Sequence, residues 1–347
     1  MRKLATIRRI DAIDPIPGAD AIEVATVGGW KVVAKKGEYK PGDIAVYCEV
    51  DSWIPSKLAP FLTKTGHHPK TFEGIEGERL KTIRLRGQLS QGLLLNLDQV
   101  IPETHSFGED SDVTEYLGIV KWEKAMPAQL AGTAKGNFPS LIPKTDQERA
   151  QNLVKEIVAA NEAGMKFEIT EKLEGSSMTV YRSVGDSGEM EFGVCSRNLN
   201  LKEVEGNTFW DVARAEDIEA KMKAVDEFWS FAIQGELIGP GVQGNIYGLT
   251  KCEFRVFDVY DIQKGEYLPP EARRALIDRM GLKHVPVLVA AGSLYDTLGI
   301  TDMPGLLKFA EGQSTMAKTE REGIVFKQVD GGMTFKAISN KYLLNEK

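Results

Sequence analysis

The sequence predicts an α+β protein in which a small β-barrel precedes a larger domain of antiparallel sheets flanked by helices. The first hundred residues contain five or six short strand-like runs and no convincing helix. Near the other end, two alternating runs flank Asp330-Gly331-Gly332, which is a strong hairpin-turn signal. Helical patterns lie between them, at Thr145 to Gly164, Thr208 to Phe228 and Pro270 to Met280. A chain of 347 residues has room for two domains.

The N-terminal runs are joined by tight turns. Gly28-Gly29 joins two of them as a hairpin, and Lys40-Pro41-Gly42-Asp43 forms another turn. We expect an OB-like barrel over residues 1–118, a shape that often follows a nucleic-acid backbone. Arg84 and Arg86 alternate with Leu85, which indicates either a nucleic-acid contact or a solvated strand face. The predicted strands are Leu4 to Ile13, Ile22 to Val27, Trp30 to Lys35, Asp43 to Val50, Arg79 to Arg86 and Gly92 to Leu97.

A connector is predicted over residues 119–144. Ala131 to Asn137 is small and polar, and prolines recur at positions 127, 139 and 143. Thr145-Asp146-Gln147-Glu148 then fits a capping box, and apolar residues follow at helical spacing from Leu153 to Val158. We therefore expect a helix here that opens a second domain, residues 145–347.

The composition argues against a membrane-spanning, secreted, disulfide-bonded or zinc-binding protein. No run of about eighteen apolar residues is present, and the Met-Arg-Lys-Leu start lacks a signal-peptide core. Cys48, Cys195 and Cys252 show neither disulfide nor metal spacing, so we expect a reducing, cytoplasmic environment. The four histidines, including the adjacent His67 and His68, predict no zinc site.

The net charge of −7 argues mildly against a nucleic-acid partner, but the charge is unevenly distributed. Residues 1–90 carry fifteen Lys and Arg against eleven Asp and Glu, a balance of +4 that leaves −11 for the remainder. The modest positive excess therefore lies in the part of the chain where the barrel is predicted.

The segment Glu171-Lys172-Leu173-Glu174-Gly175-Ser176-Ser177 carries the most chemistry. It follows an alternating run, so Lys172 and Glu174 would share one face while Phe167, Ile169 and Leu173 pack on the other. A lysine amine beside a carboxylate and small residues can attack a nucleotide α-phosphate, with phosphate oxygens close to backbone N–H groups. Alone, the pattern is also typical of an exposed strand end.

Three segments later in the chain contain the other charged groups that this chemistry requires. Phe231 to Leu237 is an apolar strand interrupted by Gly235-Glu236, and Arg321 to Lys327 and Thr334 to Ser339 flank the hairpin turn. Paired as antiparallel strands, the last two would bring Glu322 and Lys336 close together. The set then contains a nucleophilic lysine, three carboxylates and a second lysine.

Gly239-Pro240-Gly241-Val242-Gln243-Gly244 matches the dinucleotide pattern G-x-G-x-x-G. That pattern must open a helix whose N-terminus meets the pyrophosphate. The following residues, Asn245 to Gly248, predict more loop, so we do not expect a Rossmann site.

These motifs resemble those of the covalent nucleotidyltransferases, and within them the ATP-dependent RNA ligases. The resemblance covers Lys172 to Gly175, Ser196-Arg197-Asn198, Gly235-Glu236, Glu322 to Val325 and Lys336, with the aromatic strand Phe254 to Val259 in between. Two departures are present: Glu174 stands where Asp is usual, and Ile338 stands where many ligases carry a second lysine. Lys327 or Lys341 are the lysines available to replace it.

The resemblance implies a nucleotidyltransferase domain of antiparallel sheets and a set of site residues. The catalytic residues would be Lys172, Glu174, Glu236, Glu322 and Lys336. Mg²⁺ or Mn²⁺ would be held by Glu174, Glu236 and Glu322. ATP or AMP would contact Glu171, Lys172, Arg197, Glu236, Phe257, Lys327 and Lys336. Nucleic acid would contact Arg84, Arg86 and Arg197. Glu171 would read the adenine amino group, and Phe257 or Phe254 would stack on the base.

The resemblance also implies a reaction. Lys172, held neutral by burial and by Lys336, would attack ATP, and AMP would then pass to a 5′-phosphate that a 3′-hydroxyl attacks. The substrate would be a nicked duplex with RNA on the 3′-hydroxyl side, and we expect a monomer with no membrane partner. The alternatives are a DNA ligase, a capping-type guanylyltransferase, or a non-catalytic nucleic-acid-binding protein with a decayed transferase domain. A barrel placed before the transferase motifs disfavours the first two.

Overall fold

The structure is a computed structural model that describes residues 2–102, 107–123, 132–185 and 188–345. The chain forms two compact units. Of the described residues, the first contains 2–102, 107–123, 150–154 and 343–345, and the second contains 132–149, 155–185 and 188–342. Part of the predicted connector, residues 124–131, lies outside the described residues.

The first unit is built from short, mainly antiparallel strands that pack around two apolar clusters. One cluster includes Ile7, Val46 and Ile54, and the other includes Trp30 and Tyr47. The strands are β1 Ala5–Arg9, β2 Ala12–Pro15, β3 Ile22–Val27, β4 Trp30–Lys35, β5 Ile44–Cys48, β6 Ser52–Pro55, β7 Lys70–Phe72, β8 Ile75–Arg79, β9 Ile83–Leu85, β10 Gln88–Ser90, β11 Leu93–Asn96 and β12 Val120–Lys121. The short helices are α1 Leu97–Val100 and α2 Thr114–Leu117, with 3₁₀ turns at Pro60–Leu62 and Ala150–Asn152.

Two predicted strands of this unit are each divided in two. The run from Leu4 to Ile13 changes partners within it, because β1 pairs with β5 and β2 pairs with β3. The run from Arg79 to Arg86 is likewise shared between β8, which pairs with β6, and β9, which pairs with β10. The Gly28-Gly29 hairpin is confirmed, since Val27 and Trp30 are paired residues on either side of it.

The second unit contains two sheets. The larger has the order β13-β18-β17-β16-β19-β20-β21, with β22 parallel to β20, and the smaller has the order β14-β25-β24-β15-β23. The strands are β13 Ala134–Asn137, β14 Glu148–Arg149, β15 Lys166–Lys172, β16 Ser176–Val184, β17 Met190–Cys195, β18 Leu199–Leu201, β19 Phe231–Ile238, β20 Glu253–Asp261, β21 Glu266–Tyr267, β22 Lys283–His284, β23 Val287–Ser293, β24 Gly323–Gln328 and β25 Thr334–Ile338. The helices are α3 Val154–Glu162, α4 Thr208–Ala215, α5 Ile218–Lys223, α6 Pro270–Arg279, α7 Leu294–Leu298, α8 Met303–Ala310 and α9 Asn340–Asn345.

Side-chain alternation gives the smaller sheet one apolar face. Phe326 and Phe335 stack with ring centroids 4.5 Å apart, and Phe167 meets Phe335 edge-on. All three rings are fully buried. The opposite face is left for polar side chains, as the strand pattern predicted. The Asp330-Gly331-Gly332 hairpin is confirmed by the antiparallel pairing of β24 with β25.

The predicted capping box is wrong. Residues 145–149 are not helical: Thr145 Oγ1 lies 3.0 Å from Ser177 Oγ, and β14 pairs in parallel with β25. Helix α3 begins only at Val154. The predicted helix from Thr208 to Phe228 is two helices, because Asp217 adopts a left-handed conformation (φ 52°) between α4 and α5. No helix in the described ranges is long and apolar enough to cross a membrane.

Candidate active site

Lys172 and Lys336 lie on the same face of the smaller sheet. Val325 is the cross-strand partner of both Thr170 and Lys336, and Lys172 follows Thr170 by two residues. Directly paired residues share a face, as do alternate residues of one strand. The register therefore brings both predicted lysines to the polar face, opposite the phenylalanine cluster.

The Lys172 amine is paired with Glu322. Its Nζ lies 2.7 Å from Glu322 Oε1, and the two side chains are 26% and 16% exposed. Burial acts to lower the Lys172 pKa, but the charges of Glu322 and Glu236 together raise the pKa above its ordinary value. The expectation that this lysine is held neutral is therefore wrong for this arrangement, and the nearby cation that lowers its pKa is Arg197.

Glu236 reaches the same site from β19 in the larger sheet. Burial raises the pKa of Glu236 to about 8, with Lys172 opposing the shift and Glu322 adding to it. A Cβ at Gly175 would overlap the Leu237 carbonyl oxygen and the Glu236 side chain, so only glycine permits this approach. The predicted Lys-x-Glu-Gly segment is thus packed directly against the predicted Gly-Glu strand.

Glu174 is held by the loop that carries the G-x-G-x-x-G pattern. The Gly244 N–H donates to Glu174 Oε1 at 3.2 Å, and the Glu174 N–H donates to the Tyr247 hydroxyl at 2.6 Å. Residues 239–248 form turns rather than a helix. The loop predicted after this pattern is confirmed, and the Gly244 N–H of that loop holds Glu174, the acid two residues after Lys172.

Arg197 lies in the turn between β17 and β18 and contacts Asp146. Its Nη2 lies 2.7 Å from each carboxylate oxygen of Asp146. Lys336 Nζ lies 4.0 Å from Asp146 Oδ1. The two cations predicted to meet the nucleotide phosphate are thus gathered around one carboxylate.

Glu171 faces away from Lys172 and holds another segment. Its carboxylate accepts hydrogen bonds from the Ser314 hydroxyl, from the Thr315 hydroxyl at 2.8 Å and from the Thr315 N–H at 2.9 Å. The side chain is 1% exposed. These partners show a structural task for this carboxylate in addition to the adenine contact predicted for it.

The two candidate stacking rings differ in exposure. Phe254 is fully buried in the core of the larger sheet. Phe257 is half-buried and packs against an apolar group formed by Leu173, Ile238, Tyr247 and Val285. Of the two, Phe257 is therefore the ring that a base could reach.

Lys327 does not point to a phosphate site in this arrangement. Its amine lies 2.6 Å from Asp258 Oδ1 and donates to the Phe257 carbonyl oxygen at 2.6 Å. The side chain is 6% exposed. The other candidate for the missing second lysine, Lys341, has its Nζ 3.5 Å from Glu311 Oε2. In this structure each of the two lysine amines thus lies near a carboxylate.

Arg84 and Arg86 lie on an exposed hairpin of the first unit. Arg84 is on β9 and donates to the Gly87 carbonyl oxygen at 2.8 Å. Arg86 is not a strand residue as predicted, because it takes a left-handed turn conformation (φ 48°). Ile83 and Leu85 of this hairpin are exposed as well.

The carboxylates suit a divalent cation. Within the described ranges, no group of three or more His, Cys, Asp or Glu residues has the spacing of a ready-made metal site. Glu236 and Glu322 nevertheless bring two negative charges near one lysine, and the Glu322 charge adds to the raised pKa of Glu236. Hard oxygen donors of this kind fit Mg²⁺ or Mn²⁺, with water completing the shell.

Sequence reasoning missed three residues of this site. Asp146 had been assigned to a helix cap, and Tyr247 to a plain loop. Arg149 is paired with Lys336 in the parallel ladder of β14 and β25, which places it on the same face. Of the three, only Asp146 had a signal in the sequence: it is an acidic residue at the start of the domain that carries the nucleotidyltransferase motifs.

Two family models match this chain. A family model described as an RNA ligase matches residues 165–342, and one described as an OB-fold domain matches residues 4–97. No curated protein sequence matches the chain.

Solved structures of Naegleria gruberi RNA ligase are similar over the whole chain. The structure with pyrophosphate is 45% identical, with a TM-score of 0.89, and covers 99% of this chain and 98% of that one. A lysine-to-alanine variant with ATP and manganese and a glutamate-to-alanine variant with AMP and manganese are each 44% identical, with TM-scores of 0.90, and cover 99% of both chains. These matches confirm the fold class and the resemblance predicted from the motifs. The chain belongs to the RNA ligase family and is an enzyme of the type in which an OB-fold domain precedes the ligase domain.

Proposed function

We propose that this RNA ligase uses ATP to seal 3′-hydroxyl/5′-phosphate breaks in RNA through an intermediate in which AMP is bonded to Lys172. The observation that carries the proposal is the 2.7 Å pair of Lys172 and Glu322 on the sheet face that also presents Lys336. The Naegleria gruberi ligase, 44–45% identical, has been solved with ATP and manganese, which supports the same nucleotide here.

The reaction has three displacements at phosphorus. First, the Lys172 amine bonds to the α-phosphorus of ATP, and pyrophosphate leaves with the electrons of the broken P–O bond. A 5′-phosphate oxygen of RNA then attacks the AMP phosphorus, and Lys172 leaves. Finally the 3′-hydroxyl attacks the 5′-phosphate phosphorus and releases AMP. Reactions of this kind depend on alignment and charge stabilisation, which a rigid sheet face provides.

Each residue has a defined task in this scheme. Glu322 accepts the hydrogen bond that orients the Lys172 amine. Lys336 and Arg197 bind the phosphate of AMP, and the half-buried Phe257 forms an apolar wall for adenine. Glu171 also fixes the segment at Ser314 and Thr315. We retain Lys327 as a residue that supports this wall, through its bond to the Phe257 carbonyl oxygen.

Glu236 and Glu322 would hold Mg²⁺ or Mn²⁺, with Glu174 contributing through water. When bound, the cation supplies positive charge that offsets the carboxylates and the leaving pyrophosphate. Because those two carboxylates raise the Lys172 pKa, their neutralisation favours the unprotonated amine that the first step needs.

We further propose that the substrate is a nicked duplex with RNA on the 3′-hydroxyl side, bound in part by Arg84 and Arg86. The exposed basic hairpin in an OB-fold domain supports this. We also propose that the enzyme is a monomer and that it works in the cytoplasm; three free cysteines, of which Cys48 and Cys195 are buried, support the reducing compartment.

The first test is intact-mass spectrometry of the purified protein with ATP and Mg²⁺ or Mn²⁺. We expect an AMP adduct that maps to Lys172 and is absent in Lys172→Met. Lys166→Met is the matched control, because Lys166 is an exposed lysine at the start of the same strand and should leave the adduct unchanged. An adduct in Lys172→Met, or none in the wild type, would overturn the proposal.

The second test offers nicked duplexes with RNA or DNA on each side of the break. We expect sealing that requires RNA on the 3′-hydroxyl side and depends on ATP. Adduct formation with GTP in place of ATP would favour a capping-type enzyme, and equal sealing of all-DNA nicks would favour a DNA ligase.

A further inference from the structure

The chain crosses between the two sheets of the ligase domain immediately before helix α3. Gln234 of the larger sheet donates to the Pro143 carbonyl oxygen at 2.8 Å, and Thr145 contacts Ser177 of the same sheet. Three residues later, β14 pairs with β25 of the smaller sheet. We call residues 143–149 the crossing segment. Its two ends are held by different sheets. Its middle therefore passes beside Lys336, on the polar face of the smaller sheet.

Asp146 is at the middle of the crossing segment. Both of its oxygens lie 2.7 Å from Arg197 Nη2, and Oδ1 lies 4.0 Å from Lys336 Nζ. Lys144, two residues earlier, donates to Asn198 Oδ1 at 2.9 Å, which fixes the segment against the turn that carries Arg197. The carboxylate is therefore positioned by the backbone on both sides and is not a freely moving surface acid.

The partners of Asp146 are the cations that the proposed reaction assigns to the AMP phosphate. A carboxylate and a phosphate monoester present similar oxygen pairs to a guanidinium group, so they compete for the same donors. One anion between Arg197 and Lys336 offsets part of the repulsion between their two positive charges. Binding of the phosphate at these donors then requires that the carboxylate withdraw.

We propose that Asp146 occupies the phosphate position between Arg197 and Lys336 in the nucleotide-free enzyme, and that it sets nucleotide affinity by competing with the phosphate of AMP or ATP. This inference rests on the proposed function, because it takes these two cations as the phosphate donors. When an internal competitor occupies the site, the apparent Kd of the ligand equals its intrinsic Kd divided by the fraction of molecules in which the site is open.

The size of the effect follows from exposure. Arg197 and Asp146 are 41% and 37% exposed, whereas Lys336 is 12% exposed. Solvent screens such a pair, so removal of the carboxylate charge should strengthen binding by about threefold to tenfold rather than by orders of magnitude. The gain should appear only for ligands with a phosphate group.

The experiment measures the Kd of AMP and of adenosine by calorimetry for the wild type and for Asp146→Asn. AMP cannot adenylate the lysine, so binding is measured without chemistry. We expect the Kd of AMP to fall by about threefold to tenfold and that of adenosine to stay the same. Asp146→Ser, which lacks the amide, should give the same direction and keeps the test valid if one variant folds poorly.

The matched control is Glu227→Gln. Glu227 pairs with Arg279 at 2.6 Å, with side chains 51% and 58% exposed, on another part of the same domain. Its loss should change neither Kd. In an Arg197→Gln background, Asp146→Asn should gain less AMP affinity than in the wild type, because one of the two contested donors is gone.

The outcomes separate the inference from the proposed function. If the wild type binds AMP but both Asp146 variants bind it equally or more weakly, Asp146 is not a competitor and the inference is wrong. Weaker AMP binding by both variants would instead make Asp146 a residue that orients Arg197 for the bound phosphate. If the wild type binds no AMP at all, the proposed function fails together with the inference.

Discussion

Lys172 and Glu322 are 150 residues apart in the chain, yet Lys172 Nζ lies 2.7 Å from Glu322 Oε1. The antiparallel pairing of β15 with β24 creates this contact, because Lys172 is the cross-strand partner of Gly323, the residue after Glu322. The amine and the carboxylate that orients it are thus fixed by one ladder of backbone hydrogen bonds, so the geometry does not depend on a flexible loop.

Replacement of Glu322 by glutamine should abolish efficient formation of the lysine adduct. The variant keeps the side-chain shape but loses the charge that orients the Lys172 amine and that would hold the cation. We expect the rate of AMP adduct formation in single-turnover assays to fall by about 100-fold or more. Glu311→Gln, which removes a carboxylate near the surface lysines Lys308 and Lys341, is the control and should react like the wild type.

Loss of the buried pair Lys327–Asp258 should destabilise the ligase domain. The side chains are 6% and 13% exposed, so Lys327→Met leaves the Asp258 carboxylate away from water with the longer Arg273 contact, at 3.9 Å, in place of the 2.6 Å pair. We expect the free energy of unfolding to fall by about 3 kcal/mol in urea titrations. The double variant Lys327→Met/Asp258→Asn should recover part of this loss, because the remaining charge is removed.

Lys341→Met provides the comparison for that measurement. Its amine is 3.5 Å from Glu311 and its side chain is 55% exposed, so the change should cost less than about 1 kcal/mol. Equal losses for Lys327→Met and Lys341→Met would contradict the argument that burial makes the Lys327 pair important.

Sequence patterns predicted the strand pairs of this site better than its connections. The hairpin signal at Asp330-Gly331-Gly332 is local, and it correctly placed β24 beside β25. The period-two alternation likewise correctly placed Lys172 and Phe167 on opposite faces of β15. Both signals depend on residues close in sequence, where backbone geometry alone decides the outcome.

The errors arose where distant contacts override a local signal. The residues from Thr145 to Glu148 match the capping-box pattern. Strand β14 nevertheless forms backbone hydrogen bonds with β25, and this tertiary pairing overrides the local preference for a helix. The Lys172 pKa was also misjudged. Its burial was foreseeable, but the proximity of Glu236 on another sheet depends on the tertiary fold.

His284 should make stability fall in mild acid. Burial lowers its pKa, with the Arg273 charge adding to the shift, so the unfolded state takes up a proton at a higher pH than the folded state. Stability is therefore lost as the pH falls below about 6.5, the ordinary pKa of histidine. Urea midpoints at pH 7.5 and 5.5 should differ less for His284→Gln than for the wild type. His67→Gln, on an exposed loop, should keep the wild-type difference.

A methyl group at Gly175 should disturb catalysis through Glu236. The added Cβ would overlap the Leu237 carbonyl oxygen and the Glu236 side chain, so β16 and β19 must separate locally. Because displacements of about 1 Å can cost about 100-fold in rate, we expect Gly175→Ala to slow adduct formation by at least tenfold. Gly136→Ala, which meets no atom within 4 Å, should react normally. A Gly175→Ala enzyme with wild-type rates would show that Glu236 does not need this close packing.

The hairpin of the OB-fold domain should contribute to RNA binding but not to the first chemical step. Arg84 and Arg86 are exposed on β9 and its turn, so their replacement by glutamine should weaken binding of a nicked duplex without changing lysine adduct formation. If both contact phosphates, the slope of log K against log salt should fall by about 2 in magnitude for the double variant. Lys35→Gln/Lys36→Gln removes the same charge from another part of the domain and controls for a general electrostatic effect. An unchanged slope for the arginine variant, or an equal change in the lysine control, would exclude this hairpin as a specific contact surface.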